Sequence, residues 1–180
     1  MIYALFANFG AANCSLSYWP EDKIMQSMKI DKIIEDLNSK KSIARIGSAE
    51  FQDTNFTDVE RKFIKACSPE KAFIVYGTLA PNAPNHKVIE HIKGNWQHGS
   101  IRGRLEKEGW GAELGYYGFK HVSHEEQEEI KVLVLLSDEL VANWQLLDDF
   151  EGNGYSRILA EYELENGETG VGYIYAINEK

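Results

Sequence analysis

Cysteine is scarce in this chain. The two present, Cys14 and Cys67, lie 53 positions apart and match neither a metal-ligand spacing nor a Cys-x-x-Cys redox pair. Structural thiols in a reducing cytoplasm are the expectation, with a disulfide as the alternative. No run of about 18 consecutive apolar residues occurs, so no membrane-spanning helix is expected. The apolar opening Met1-Ile2-Tyr3-Ala4-Leu5-Phe6 has no Lys or Arg ahead of it and does not read as a secretory signal, which points to a cytoplasmic protein. Gly-x-Gly-x-x-Gly, Walker, His-Glu-x-x-His and Cys-x-x-Cys patterns are all missing. His86, His91, His98, His121 and His124 therefore do not assemble a recognisable metal set, and no metal or cofactor is expected. Basic charge is short as well. The net charge is −9, and from Phe73 onward there are nine Lys and Arg against eighteen Asp and Glu, with ten of each before. An acidic body lacks the clustered cations that nucleic acids and anionic membranes require.

What remains is an ordinary globular composition, 43% apolar and 26% charged, long enough for one core. Residues 1–20 carry no readable pattern. From about Glu21 to Ser39, Ile30, Ile33, Ile34 and Leu37 fall on one helical face. Thr57-Asp58-Val59-Glu60 is a capping box that opens a second helix, with Val59, Phe63 and Cys67 on its apolar side and Pro69 after its end. These segments predict a mainly helical N-terminal extension over residues 1–70, ahead of a main unit over residues 71–180.

In the main unit, Ala72-Phe73-Ile74-Val75 reads as a buried strand that ends in Tyr76-Gly77-Thr78-Leu79 and a two-proline loop. Gly77 permits a sharp turn or a close ligand approach, and the N–H groups of Gly77, Thr78 and Leu79 would face outward as anion donors. The alternative is a core strand followed by a plain turn. A short helix is expected through Val88, Ile89 and Ile92, then strands over residues 96–105 and 130–136. An amphipathic helix carrying Leu140, Val141, Trp144 and Leu147 should stop at Gly152. Two further strands follow, joined at Asn166-Gly167, a two-residue hairpin signal. Strands outnumber helices after Phe73, so the class is a mixed α+β body with a possible closed barrel.

Four short motifs occur in order: Tyr76-Gly77-Thr78-Leu79, Gly99-x-x-x-Gly103-x-Leu105, Leu147-Asp148-x-Phe150-Glu151-Gly152 and Tyr155-x-Arg157. Over about residues 73–177 the chain resembles the γ-glutamylcyclotransferase-like family, of the γ-glutamylamine cyclotransferase type. The resemblance implies a small mixed β-barrel with flanking helices and a pocket beside the Tyr-Gly-Thr-Leu turn. It implies cleavage of γ-glutamyl amides to 5-oxoproline and a free amine or amino acid, with no cofactor. Carried onto this sequence, Glu151 becomes the acid/base and Tyr76, Gly77, Thr78 and Leu79 hold the substrate.

Such chemistry makes modest demands, because the nucleophile is the substrate's own α-amine and proximity supplies much of the rate. One proton carrier and a set of oxyanion donors suffice. A carboxylate serves as carrier only if its pKa is raised. Glu151 stands at a helix C-terminus with Asp148 one turn earlier, and both raise it, the helix end by about 0.3–1 kcal/mol. Burial must supply the larger part. Without burial, Glu151 is merely an exposed residue that ends an amphipathic helix. Tyr155 is a further candidate at the pocket, or a packing residue. Arg157 reads equally as a ligand group or as an ion-pair partner of Asp148 or Asp149. The aromatics between Trp110 and Phe119 are core residues or line the leaving-group side. A binding module on the same fold, taking a small amino-acid-like ligand without turnover, is the competing reading.

Overall fold

The structure, a computed structural model, describes residues 23–40, 56–107, 117–122 and 126–178. Expectations for Met1 to Phe9, Cys14, Trp110, Tyr116 and His124 lie outside the described residues. Among those described, no helix is long and apolar enough to cross a membrane.

Two helices come first. Helix α1 (Lys23–Asn38) buries Ile30, Ile34 and Leu37, the stripe that its 3.6-residue period requires. Helix α2 (Asp58–Cys67) begins at the capping box, with the Thr57 side chain accepting from the Glu60 N–H and Glu60 accepting from the Thr57 N–H. The expected apolar face is only partly right. Val59 is 51% exposed, whereas Glu60 is buried. Glu60 tolerates burial because Lys40 donates to both its oxygens, at 2.7 and 2.6 Å, which holds its carboxyl below the usual range. Cys67 is buried and disulfide-bonded rather than the free thiol the sequence led us to expect.

Six strands follow: β1 (Ala72–Val75), β2 (Asn95–Glu106), β3 (Gly118–Lys120), β4 (Glu128–Leu136), β5 (Tyr155–Leu164) and β6 (Thr169–Ile177), with helix α3 (Leu140–Glu151) between β4 and β5. Strand β1 pairs antiparallel with β4 and parallel with β6 at Phe73↔Tyr173. Strand β2 runs antiparallel to β4 over nine pairs and, on its other edge, to β5 at Gly99↔Leu164 through Ile101↔Tyr162. Since β5 pairs along its length with β6, the circuit β1–β4–β2–β5–β6 closes. The chain forms a five-stranded mixed barrel, and β3 bridges β2 and β6 as an extra strand.

The Gly99-x-x-x-Gly103 motif explains how one strand serves two neighbours. A Cβ at Gly99 would lie 2.6 Å from the Glu163 carbonyl oxygen, and one at Gly103 would strike the Phe119 ring. No side chain fits at either crossing.

The expected short helix after Pro84 is a 3-10 turn over His86–Val88, with Ile89 and Ile92 buried behind it. The hairpin between β5 and β6 is present but its loop is longer than expected. The Gly167 N–H bonds the Leu164 carbonyl at 2.9 Å and Gly167 takes a φ of 82°, so Glu165-Asn166-Gly167 form a three-residue loop.

Buried side chains sort into two clusters by strand alternation. Ile74, Ile101, Phe119, Ile130, Val134, Tyr162 and Ile174 fill the barrel. Phe73, Val75, Leu135, Tyr173 and Tyr175 face outward against the helices, packed with Ile34, Leu37, Trp144 and Leu147. Helix α1 thus shares a core with α3 and the barrel. Its last residue locks on by a paired amide contact: Asn38 Nδ2 donates to the Leu159 carbonyl at 2.9 Å, and the Leu159 N–H donates to Asn38 Oδ1 at 2.8 Å.

Candidate active site

Strand β1 delivers its C-terminal end, and the loop after it, to one side of a cavity. Helix α3 delivers Glu151, its last residue, to the same cavity, because Gly152 at a φ of 67° stops the helix there. Tyr76, Gly77, Thr78, Leu79, Glu151 and Tyr155 all line it. About 50 Å³ is open to the centres of water molecules.

The loop is stitched from behind. Asn85 donates through its backbone N–H to the Thr78 carbonyl and through Nδ2 to Thr78 Oγ1, both at 3.0 Å. His86 Nδ1 meets the Leu79 carbonyl at 2.9 Å. The N–H groups of Gly77, Thr78 and Leu79 make no hydrogen bond to another described residue. Gly77 does not take the left-handed conformation, and a Cβ built on it meets nothing within 4 Å. Of the two roles glycine could have at this point, close approach is therefore the one left, since no sharp turn requires it.

Glu151 is partly buried, and that burial pushes its carboxyl up to about 7. Tyr155 is pushed up by burial and by the Glu151 charge. Tyr76 is pushed up chiefly by burial and also feels Glu151. The like-charge argument drawn from Asp148 does not carry over. Asp148 accepts from Arg157 Nε at 3.0 Å and from Arg157 Nη2 at 2.9 Å, so its charge is spent there. Arg157, 7% exposed, lies with its guanidinium carbon 4.5 Å from the Trp144 ring centre and 4.6 Å from that of Tyr173. It is an ion-pair residue and does not line the cavity.

Tyr76 has a double placement. Its ring lines the cavity, but its hydroxyl donates to the Tyr175 carbonyl and accepts from the Phe119 N–H, both at 2.9 Å. That hydroxyl is occupied by the barrel, at the seam where β3 meets β6.

The family model described as Gamma-glutamyl cyclotransferase, AIG2-like matches residues 73–180. The chain belongs to this family.

Among solved structures, the AIG2-like chain is similar to YkqA of Bacillus subtilis, with 24% identity, a TM-score of 0.46, and coverage of 60% of this chain and 36% of that one. It is similar to At3g28950.1 of Arabidopsis thaliana, with 22% identity, a TM-score of 0.44, and coverage of 59% and 61%. It is similar to an aig2-like protein of Mus musculus, with 21% identity, a TM-score of 0.43, and coverage of 59% and 76%. The matched region spans about a third of the Bacillus protein and less than two thirds of the Arabidopsis one. No curated protein matches the chain.

Two lining residues of the AIG2-like domain were not singled out by sequence reasoning. Tyr117, 53% exposed, stands beside β3 and lines the cavity. It belongs to the aromatic stretch considered for the leaving-group side, but nothing separated it from its neighbours. Tyr175, 4% exposed, lines the cavity from β6. Every residue of β6 from Gly170 to Ala176 is buried, so strand alternation gives no sign of which aromatic reaches the site.

Proposed function

We propose that this protein is a γ-glutamyl cyclotransferase that releases an amine or amino acid from a γ-glutamyl amide and forms 5-oxoproline, with Glu151 as general acid/base. The observation that carries the reading is a partly buried carboxyl, raised to about 7, in one cavity with three backbone N–H groups that bond no described residue.

The substrate's α-ammonium gives one proton to the Glu151 carboxylate. The freed amine attacks the γ-carbonyl carbon and closes a five-membered ring. Negative charge develops on the carbonyl oxygen, where N–H donors from residues 77–79 stabilise it. Glu151 returns its proton to the leaving nitrogen as the C–N bond breaks. The second proton of the ring nitrogen follows the same route, so the amine leaves as an ammonium and Glu151 ends as it began. A carboxyl near 7 suits both directions of transfer at neutral pH. Tyr155 and the backbone of Tyr76 through Leu79 hold the glutamyl part. Residues 71–180 form the catalytic unit, and residues 1–70 are an extension whose described helices supply core.

The test offers γ-glutamyl-alanine, γ-glutamyl-butylamine and ε-(γ-glutamyl)-lysine separately and follows 5-oxoproline by mass spectrometry. Stoichiometric 5-oxoproline and free amine from at least one amide is the expected result. Saturable binding of all three without product overturns the enzymatic reading in favour of a ligand-binding module.

A further inference from the structure

We propose that Tyr175 is a positioning residue for this reaction, a strap that sets the distance between Glu151 and the loop of residues 77–79. The inference rests on the role proposed for Glu151.

Its geometry is that of a bridge. At one end the Tyr175 backbone carbonyl accepts the Tyr76 hydroxyl at 2.9 Å, one residue before the loop begins. At the other end its own hydroxyl donates to Asp148 Oδ1 at 2.6 Å, three residues before Glu151 on α3. The two walls of the cavity are therefore tied through one residue of β6.

Both anchorages are stiff. Tyr76 is held in turn by the Phe119 N–H at 2.9 Å. Asp148 is held by the bidentate Arg157, itself stacked between Trp144 and Tyr173. The ring between them is wedged edge-on against Phe73, with centroids 5.9 Å apart, and Phe73 packs edge-on against Trp144 at 5.5 Å. Burial and the neighbouring Asp148 drive the Tyr175 pKa far upward, so the hydroxyl remains a donor across the working pH range. A phenylalanine would satisfy the packing; only the Asp148 bond requires the hydroxyl.

Tyr175→Phe isolates that bond. The ring stays and the backbone carbonyl still accepts Tyr76, so the loop that binds substrate keeps its path. The expected result is a split, in which kcat for 5-oxoproline formation from the amides above falls roughly tenfold or more while KM changes little, because small displacements of a reacting group are costly. Tyr162→Phe removes another buried tyrosine hydroxyl, away from the cavity, and should leave kcat unchanged. A Tyr175→Phe protein with wild-type kcat, beside an inactive Glu151→Gln, overturns the strap and leaves the acid/base role standing. Equal loss of kcat in Tyr175→Phe and Tyr162→Phe also overturns it, as a generic stability effect. An active Glu151→Gln overturns the acid/base role itself and the strap with it. Should Tyr175→Phe fail to fold, Asp148→Asn and Asp148→Ala carry the same test. The Asn oxygen can still accept the Tyr175 hydroxyl, so higher kcat in Asn supports the strap and equal kcat overturns it.

Discussion

The Tyr175 hydroxyl donates to Asp148 at 2.6 Å, on a carboxylate that the Arg157 guanidinium already grips with two nitrogens. Asp148 is thus committed to Arg157 on β5 and to Tyr175 on β6. This is why a carboxylate one helical turn from Glu151 does not govern its protonation, and why burial does. A partly buried carboxyl in the cavity with a pKa near neutrality has consequences for rate, stability and ligand fit.

The rate should follow the ionised form of Glu151. A general base must be deprotonated to accept the α-ammonium proton, so kcat/KM for 5-oxoproline formation rises with pH and levels off above about 7. A profile taken from about pH 5 to about pH 9 checks this. An acid limb near 4.5, the ordinary glutamate value, contradicts a buried base.

Stability should move in the opposite sense. Glu151 has a folded-state pKa of about 7 against 4.5 as its ordinary value, so between those pH values the folded state binds more protons. Its contribution is fully present below 4.5 and is lost as pH rises through 7. Glu151→Gln mimics the protonated form. At about pH 8 it should be more stable than the wild type, on the order of 1–3 kcal/mol, and at about pH 4 the two should melt together. Glu161, also pushed up to about 7 by burial, titrates in the same window in both proteins and cancels in the difference. Equal melting temperatures at both pH values contradict the prediction.

Gly77→Ala separates fold from ligand. The added methyl meets no protein atom within 4 Å, so thermal stability should stay within about 0.5 kcal/mol of wild type. Because Gly77 lines the cavity, the methyl takes space from the substrate, and KM should rise several-fold or activity vanish. Unchanged kinetics would remove this loop from substrate binding.

Leu37→Ala tests the role of α1. Leu37 is fully buried in the cluster that holds Trp144 and Leu147, so truncation should cost about 2–5 kcal/mol, read from chemical denaturation. A cost below about 1 kcal/mol would mean that α1 rests on the barrel without supporting it.

Local signals in the sequence were read well wherever structure is locally determined. The Thr57–Glu60 box, the Ile30-to-Leu37 stripe and the stop at Gly152 each depend on residues within one or two turns. Val59 and Glu60 broke the helical pattern because Lys40, twenty positions away, makes burial of the carboxylate tolerable. Barrel closure depends on β2 pairing with β5 on one edge while β4 holds the other, a pairing between distant segments that no local period encodes. At the site, Glu151 and residues 76–79 were expected together from the family resemblance, and they line one cavity. Tyr175 was not, since it sits mid-strand among side chains that are all buried. Arg157 could be read two ways from sequence, and Asp148, stacked rings and burial decide for the ion pair.

The most direct test of the central claim is 5-oxoproline release by Glu151→Gln beside the wild type, at the same pH and with the amide the wild type turns over. Loss of a general acid/base should lower turnover by about 10²–10⁴-fold while the protein stays folded and still binds the amide. Turnover within a few-fold of wild type would contradict it.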